Sequence, residues 1–463
     1  MSMLPKTNAK PTSRRTFCSM ASCCGAAALL VRVGLLHAAG QAAGRAAQVP
    51  AVPPATPTRP NVAAIDHDRI LAAAERCLTQ APTPLTSLEC PRSPGTVHDY
   101  YSEALPDTDS GAAPSAKTAA GTPPPFTAHR DALFTLGLAV PALAAAHLLT
   151  GEDRYAEHAV VQLRAWFVDP ATRMTPRLDL GSVLATQAQP ATDAPVFTVQ
   201  NNPSFTATPA PPEGGRFEGI LETLPLVEIA QAIPFLAAST ALGEADLKAL
   251  HAWFADYLRW LTEPQDTGPR LPALARDRKD HHGSSWLLQA TAYASLAAPE
   301  GDVPRTEDTA LAELRHRFKT VTLRAQIAAD GTFPHELGSE APFRDSLFNL
   351  DMLAGVCQLL STRFESIWDY SLEDGPGMRS AIAYHFPFIA DRTTWPFRAD
   401  RQHFDELPGR RASLLFTARA YQRPEYAALW KTLRPDPPDP EIQRTLPIQQ
   451  PLLWVRQPPR AAA

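Results

Sequence analysis

The feature that most constrains this chain is a recurring pair of helices. Apolar residues fall at helical spacing over 128–149, Thr150-Gly151-Glu152-Asp153 makes a turn, and a second helix runs to about Val168 before Asp169-Pro170. The unit returns at 218–240 with 245–261, at 284–298 with 307–328, at 344–361 with 376–390, and at 411–421 with 425–433. Earlier, Asp66 is placed to cap a helix through Leu78 that carries Ile70, Leu71, Ala74 and Leu78 on one face. Strand-like alternation is scarce. One helix pair cannot bury its apolar face alone, so successive pairs must stack on a shared core. The expected fold class is all-α, an (α/α) toroid or solenoid of antiparallel helix hairpins with long loops.

Punctuation sets the domains. The 47 prolines gather near the N-terminus, around 105–125, in 187–213 and in the last 30 residues, and they mark linkers and loops. Residues 1–48 read as a twin-arginine-type signal segment: Ser13-Arg14-Arg15-Thr16-Phe17, an apolar run from Gly25 to Leu36, then Ala-rich cleavage sites. A Pro-rich linker spans 49–62, the helical domain 63–435, and a Pro-rich C-terminal tail packing on it 436–463. No later stretch reaches the roughly 18 apolar residues of a membrane span. The mature protein is therefore expected to be soluble and exported, periplasmic or secreted. In such an oxidising compartment Cys77 and Cys90 could pair; three buried thiols, with Cys357, are the alternative. The net charge of −5, without a basic stripe, argues against nucleic acid as a partner. An acidic polysaccharide or oligosaccharide remains open, because one pocket can be basic on an acidic protein.

Chemistry points to Lys279-Asp280-His281-His282-Gly283, which opens the helix at 284. Side chains of adjacent residues at a helix start diverge, so at most one histidine is expected to face a given pocket. His282 is a candidate general base near neutral pH, with His281 or Lys279 holding a negative charge. The plain alternative is a pair of surface histidines. A second patch, His98-Asp99-Tyr100-Tyr101-Ser102-Glu103, suits sugar stacking and hydroxyl contacts, or packs on the bundle rim. A third runs from Asp330-Gly331-Thr332-Phe333-Pro334-His335-Glu336-Leu337 to Arg344-Asp345, where carboxylates and a guanidinium could share one mouth or simply cap helices. Arg216, at the end of the long 169–216 connection, joins the substrate-binding candidates. Trp166, Trp253 and Trp260 are expected in the core. There is no Gly-rich phosphate loop and no spaced His/carboxylate pair on a helix, so neither a cofactor nor a metal is expected.

At this point the residues carry a resemblance. Arg92-Ser93-Pro94-Gly95 with the 98–103 patch, Leu163 to Val168 with Met174 and Pro176, Gly283 to Trp286, Asp330 to Pro334, Ser346 to Asp351, Trp395-Pro396-Phe397 and Gln450 to Trp454 follow one another as in the alginate lyase family. The resemblance implies an incomplete (α/α) toroid and β-elimination from a polyuronate. A base removes the proton beside the carboxylate, an acid protonates the leaving oxygen, and a neutraliser stabilises the enolate-like intermediate. Carried over, the family's Asn-Asn-His-Gly falls on Asp280-His281-His282-Gly283. His282 is kept, and His281 stands for a neutralising Asn. The family's catalytic Tyr falls close to Asp345 and its Arg close to Ser339. Thr175 stands for an Asn, Pro225 for a His, and Ala104-Leu105-Pro106-Asp107 for a Trp-rich stretch.

Three readings follow. In the first, the protein is an exported polysaccharide lyase for alginate or a similar uronate polymer. His282 is its base, His281 or Arg344 its neutraliser, Asp345 lies at the catalytic Tyr position, and Tyr100 or Tyr101 is a substitute acid. The substrate is held by Lys279, Asp280, His98, Tyr100, Tyr101, Arg216 and Arg344. In the second, it is an inactive or rebuilt carbohydrate-binding protein on a lyase scaffold. In the third, Asp280 and Asp345 are the paired carboxyls of a glycoside hydrolase.

Overall fold

The computed structural model describes residues 59–104, 123–184, 214–264, 271–297 and 309–458. All of them fall in one compact unit, Pro57–Ala463. The twin-arginine segment and most of the Pro-rich linker lie outside the described residues.

The helices are α1 His67–Cys77, α2 Ala128–Thr150, α3 Asp153–Leu163, α4 Pro225–Leu236, α5 Glu244–Thr262, α6 His281–Ala297, α7 Thr309–Arg317, α8 Pro342–Leu360, α9 Met378–Ala390, α10 Ala412–Ala420 and α11 Pro424–Thr432. Their packing separates two layers. Helices α2, α4, α6, α8 and α10 pack in series, each on the next, as an inner row. Helices α3, α5, α7, α9 and α11 pack on its outside, and α1 packs on α2. This is the all-α toroid of hairpins expected from the sequence.

The two layers differ in sequence for a physical reason. Outer helix α5 buries one stripe, Leu250, Trp253, Phe254, Tyr257, Trp260 and Leu261, and turns its charges outward. Inner helix α6 is buried from Gly283 to Ala294, and α8 nearly throughout, so apolar and small residues surround most of each, with buried polar groups such as Gln289 and Asp351 among them. Ala128–Thr150 and Phe217–Leu236 are even long and apolar enough to cross a membrane, contrary to the sequence expectation. Here 61% and 72% of those stretches are buried inside the fold, as core helices.

Polar groups pin the inner row. Asp351 of α8 accepts from Ser413 N at 2.9 Å and pairs with the fully buried Arg411 at 3.4 Å, tying α8 to α10. Glu228 of α4 accepts from Gln449 N, Gln450 N and Trp454 Nε1 at 2.9, 2.8 and 2.6 Å, which holds the last helical turn, Pro451–Val455, against α4. Five helical segments begin with proline, at 225, 342, 424, 440 and 451, so proline here starts helices as well as marking linkers.

Three further details differ from expectation. Asn61 caps a separate preceding turn, Val62–Ile65, and the buried Asp66 stands at the N-cap position of α1 without a side-chain cap bond, pairing instead with Arg69 and Arg410 at 3.1 and 2.6 Å. Two short parallel strands, β1 Tyr101–Glu103 and β2 Leu180–Val183, join the two loops around the first hairpin. Cys77, Cys90 and Cys357 are all free thiols, so the 77–90 pair does not form.

Candidate active site

The start of α6 is built from its own sequence. Asp280 accepts from His282 N at 3.1 Å and serves as the N-cap, while Gln326, itself held by Asn349, binds the Asp280 carbonyl at 2.8 Å. Gly283 is required there: a Cβ at that position would lie 2.2 Å from the Arg278 carbonyl oxygen. The start of α8 is capped from a distance. Asp400 accepts from Phe343 N and Arg344 N at 2.8 and 2.9 Å, which fixes the turn carrying Arg344 and Asp345.

These two helix starts open onto one cleft with a cavity of about 240 Å³. Arg130 and Phe134 of α2, Glu222 and Glu228, His281, Arg344, Asp345 and Arg444 line it. His281, Arg344 and Asp345 are thus the predicted site residues that the fold brings together. Glu336 joins them from the turn before α8: His281 donates its backbone N–H to Glu336 Oε1 at 2.6 Å, and its Nδ1 lies 2.8 Å from Oε2. Asp345 accepts from Arg344 Nε at 2.9 Å. One donor atom each from His281, Glu336 and Asp345 lies within 4.8 Å of the others.

The histidine rings do not diverge. Their centroids are 4.3 Å apart with the planes tilted by 30°, and each ring is bonded to a different carboxylate. His281 goes to Glu336; His282 Nδ1 lies 3.1 Å from Asp280 Oδ1, with Phe217 edge-on at 5.1 Å. It is His281, not His282, that lines the cavity. The two environments set opposite charges. Burial pushes His281 down, but the charge and hydrogen bond of Glu336, with Asp345 and Asp280 beyond, outweigh it and raise the ring to about 9. Burial and then the neighbouring His281 charge lower His282 to about 4, against Asp280. Burial works to raise Asp280 too, yet its bonds to His282 and Arg278 hold it ionised, far below the usual carboxylate range. Burial likewise pushes Glu336 up. With two N–H groups of His281 directed at it, Glu336 is the anion of an ion pair. At neutral pH an imidazolium donor and a neutral imidazole acceptor therefore sit ring against ring.

Other candidates lie elsewhere. Tyr100 is buried and donates at 2.9 Å to Glu222, itself on the cleft wall, and Tyr101 is buried and donates to Glu103 at 2.8 Å, so both hydroxyls are bonded to carboxylates and neither tyrosine lines the cleft. No tyrosine is among the described residues lining it. His98 lies 2.8 Å from the Arg173 carbonyl, beside a separate cavity of about 540 Å³ with Thr175 and Trp253. Arg216 pairs with Glu218, and Lys279 is exposed; neither lines the cleft. Glu222, Arg130 and Arg444 were not among the candidates, and Glu336 was named only as one carboxylate of the 330–337 turn. That place in the turn was the only signal among the four.

Comparison with known proteins agrees with this architecture. The alginate lyase family profile matches residues 86–395. No curated protein matches the chain. The fold is similar to that of an alginate lyase from Bacteroides ovatus, with 21% identity, 85% of this chain and 94% of that chain covered, and a TM-score of 0.64. Alginate lyase A1-III from Sphingomonas species A1 is also similar, with 14% identity, 84% and 95% covered, and a TM-score of 0.44. With the profile matching well over half its length, from the strand-forming 98–103 patch through the His281-His282 helix start to Trp395, the chain belongs to the alginate lyase family.

Proposed function

We propose that this protein is an exported polysaccharide lyase that cleaves a uronate polymer, alginate or a similar chain, by β-elimination. The observation that carries the proposal is the pair of adjoining histidines, each on its own carboxylate and pushed to opposite protonation states, at the cleft of a lyase-family toroid. Two neighbouring titratable groups whose environments push them apart are a natural acid and base. His282 does not itself line the cavity of about 240 Å³, so in this reading the uronate binds with C5 at the His281–His282 edge of the cleft, where His282, oriented through Nδ1 by Asp280, takes the C5 proton. The C4–O bond breaks, and the proton passes to the leaving oxygen. His281, with Arg344, faces the substrate carboxylate and the enolate-like charge that develops on it.

Tyr100 and Tyr101 no longer serve as acids in this scheme, because their hydroxyls are bonded to Glu222 and Glu103. The proton is returned by an imidazolium instead. The hydrolase reading weakens as well: Asp280, held ionised by Arg278 and His282, has no proton to donate. A carbohydrate-binding protein without turnover is the second reading, favoured by the absence of tyrosine among the described residues of the cleft.

The test is to incubate purified protein with several polyuronates and follow the ultraviolet absorbance of the unsaturated product. His282→Gln should slow turnover by about 10²–10⁴-fold, the span of general base catalysis. Oligosaccharide binding with no absorbance change on any polymer would favour the binding protein instead.

A further inference from the structure

We propose that His281, Glu336 and Asp345 form a binding site for a divalent transition-metal cation, of which Zn²⁺ is the best match. The three residues come from three places in the fold: the first turn of α6, the turn at 334–338 and the first turn of α8. One donor atom from each lies within 4.8 Å of the other two. Donors bound to one Zn²⁺ at about 2.1 Å sit roughly 3–4 Å from one another, inside that circle. Three protein ligands with an open side toward a cavity is the arrangement of a catalytic rather than a structural metal site. His281 and Asp345 both line the cavity, so the open side faces the cleft. One imidazole and two carboxylates suit Zn²⁺ and Mn²⁺ and are too nitrogen-rich for a calcium cage.

Charge balance is the independent argument. Four carboxylates face this corner: Glu336, Asp345, Asp280 and, on the Arg344 backbone N–H, Asp400. Two guanidiniums answer them, Arg344 on Asp345 and Arg278 on Asp280. The side chains of Glu336 and Asp345 are only 1% and 6% exposed, so water does little to screen them. The carboxylates therefore outnumber the guanidiniums by two charges. A divalent cation there, taking over the neutralising role given to the His281 ring above, supplies those two charges and removes the repulsion that a uronate carboxylate would otherwise meet.

This purpose rests on the lyase reading, but the site itself is tested without polymer. Full-length protein is stripped with a chelator and titrated with Zn²⁺ alone, then Mn²⁺ alone, by calorimetry. The expected result is one equivalent per chain, lost in Asp345→Asn and in Glu336→Gln. It should be retained in His403→Ala, which removes the exposed His403–Glu406–Asp439 cluster. No binding by the wild type, or an equivalent that survives both carboxylate substitutions, overturns the site. Because Glu336→Gln can unfold, the wild type is also loaded with Co²⁺. Visible d–d bands that Zn²⁺ abolishes are expected, and their absence overturns the proposal. Metal bound without polymer cleavage removes the lyase reading and keeps the site; cleavage by protein that binds no metal does the reverse.

Discussion

Glu228 offers a test of the fold that is independent of catalysis. It is 2% exposed, sits on inner helix α4, and holds the end of the chain through Gln449 N, Gln450 N and Trp454 Nε1. Burial pushes its carboxyl up from 4.5 to about 7, although the three N–H bonds and the charge of Arg69 work against that rise. A carboxyl raised on folding binds its proton more tightly in the folded state than in the unfolded one. Its contribution is therefore complete below about pH 4.5 and is lost as pH climbs through about 7. At about 1.4 kcal/mol per pH unit over that window, the loss is about 3 kcal/mol.

The assay is urea unfolding of wild type and Glu228→Gln at a series of pH values across that window. Glutamine cannot titrate, and its amide nitrogen meets the donor of Trp454 or of the 449–450 backbone, so the variant carries a constant offset. Other titrations, the histidines included, are common to both proteins and cancel in the difference. Wild-type stability minus variant stability should fall by about 3 kcal/mol from acid to neutral pH. A flat difference would refute the reasoning, and so would one that rises with pH: the three N–H groups would then outweigh burial, and Glu228 would be an ordinary ionised anchor.

Two further outcomes follow from packing. Arg411→Met leaves Asp351 buried without its cation and should cost about 3–5 kcal/mol in chemical denaturation, most of it recovered when Asp351→Leu is added. Gly283→Ala drives a Cβ against the Arg278 carbonyl and should cost about 1–3 kcal/mol while displacing the 278–280 turn. Gly243→Ala, with nothing within 4 Å of its Cβ, should stay within about 0.5 kcal/mol of wild type.

The hairpins were legible because an outer helix such as α5 must alternate a buried stripe with a charged face, and that period survives in the sequence. Inner helices were legible for the opposite reason, an apolar run bounded by turns. Strands β1 and β2 were not: segments of three and four residues carry no period, and their pairing joins Tyr101 to Leu180 across 79 positions. Within the site, His281, Arg344 and Asp345 stood out because they open helices, where function and capping share residue types. Glu336 contributes to the same corner from 55 positions away, and only folding brings it to His281. Tyr100 and Tyr101 misled because a sequence shows an aromatic hydroxyl but not the buried carboxylate to which it is bonded. Arg444 reaches the cleft only because the C-terminal segment turns back over the inner helices.

His281 and Asp345 are coupled through charge. The resemblance places an Asn at 281 and a Tyr close to 345, both neutral, where this chain has a histidine and an aspartate. His281 adds one positive charge and Asp345 one negative charge, and one donor atom of each lies within 4.8 Å of the other. Each alone unbalances a buried site. Asp345 beside Glu336 without His281 is a pair of carboxylates in repulsion, and His281 without Asp345 loses part of what holds its charge. His281→Asn and Asp345→Tyr should therefore each destabilise the protein, while the double variant should lose less than the two added together. A coupling of about 0.5–3 kcal/mol is the range for residues in contact. It is measured as a double-mutant cycle in urea, on metal-free protein so that only the side chains are compared. Strict additivity would show that the two side chains do not act as a charge pair.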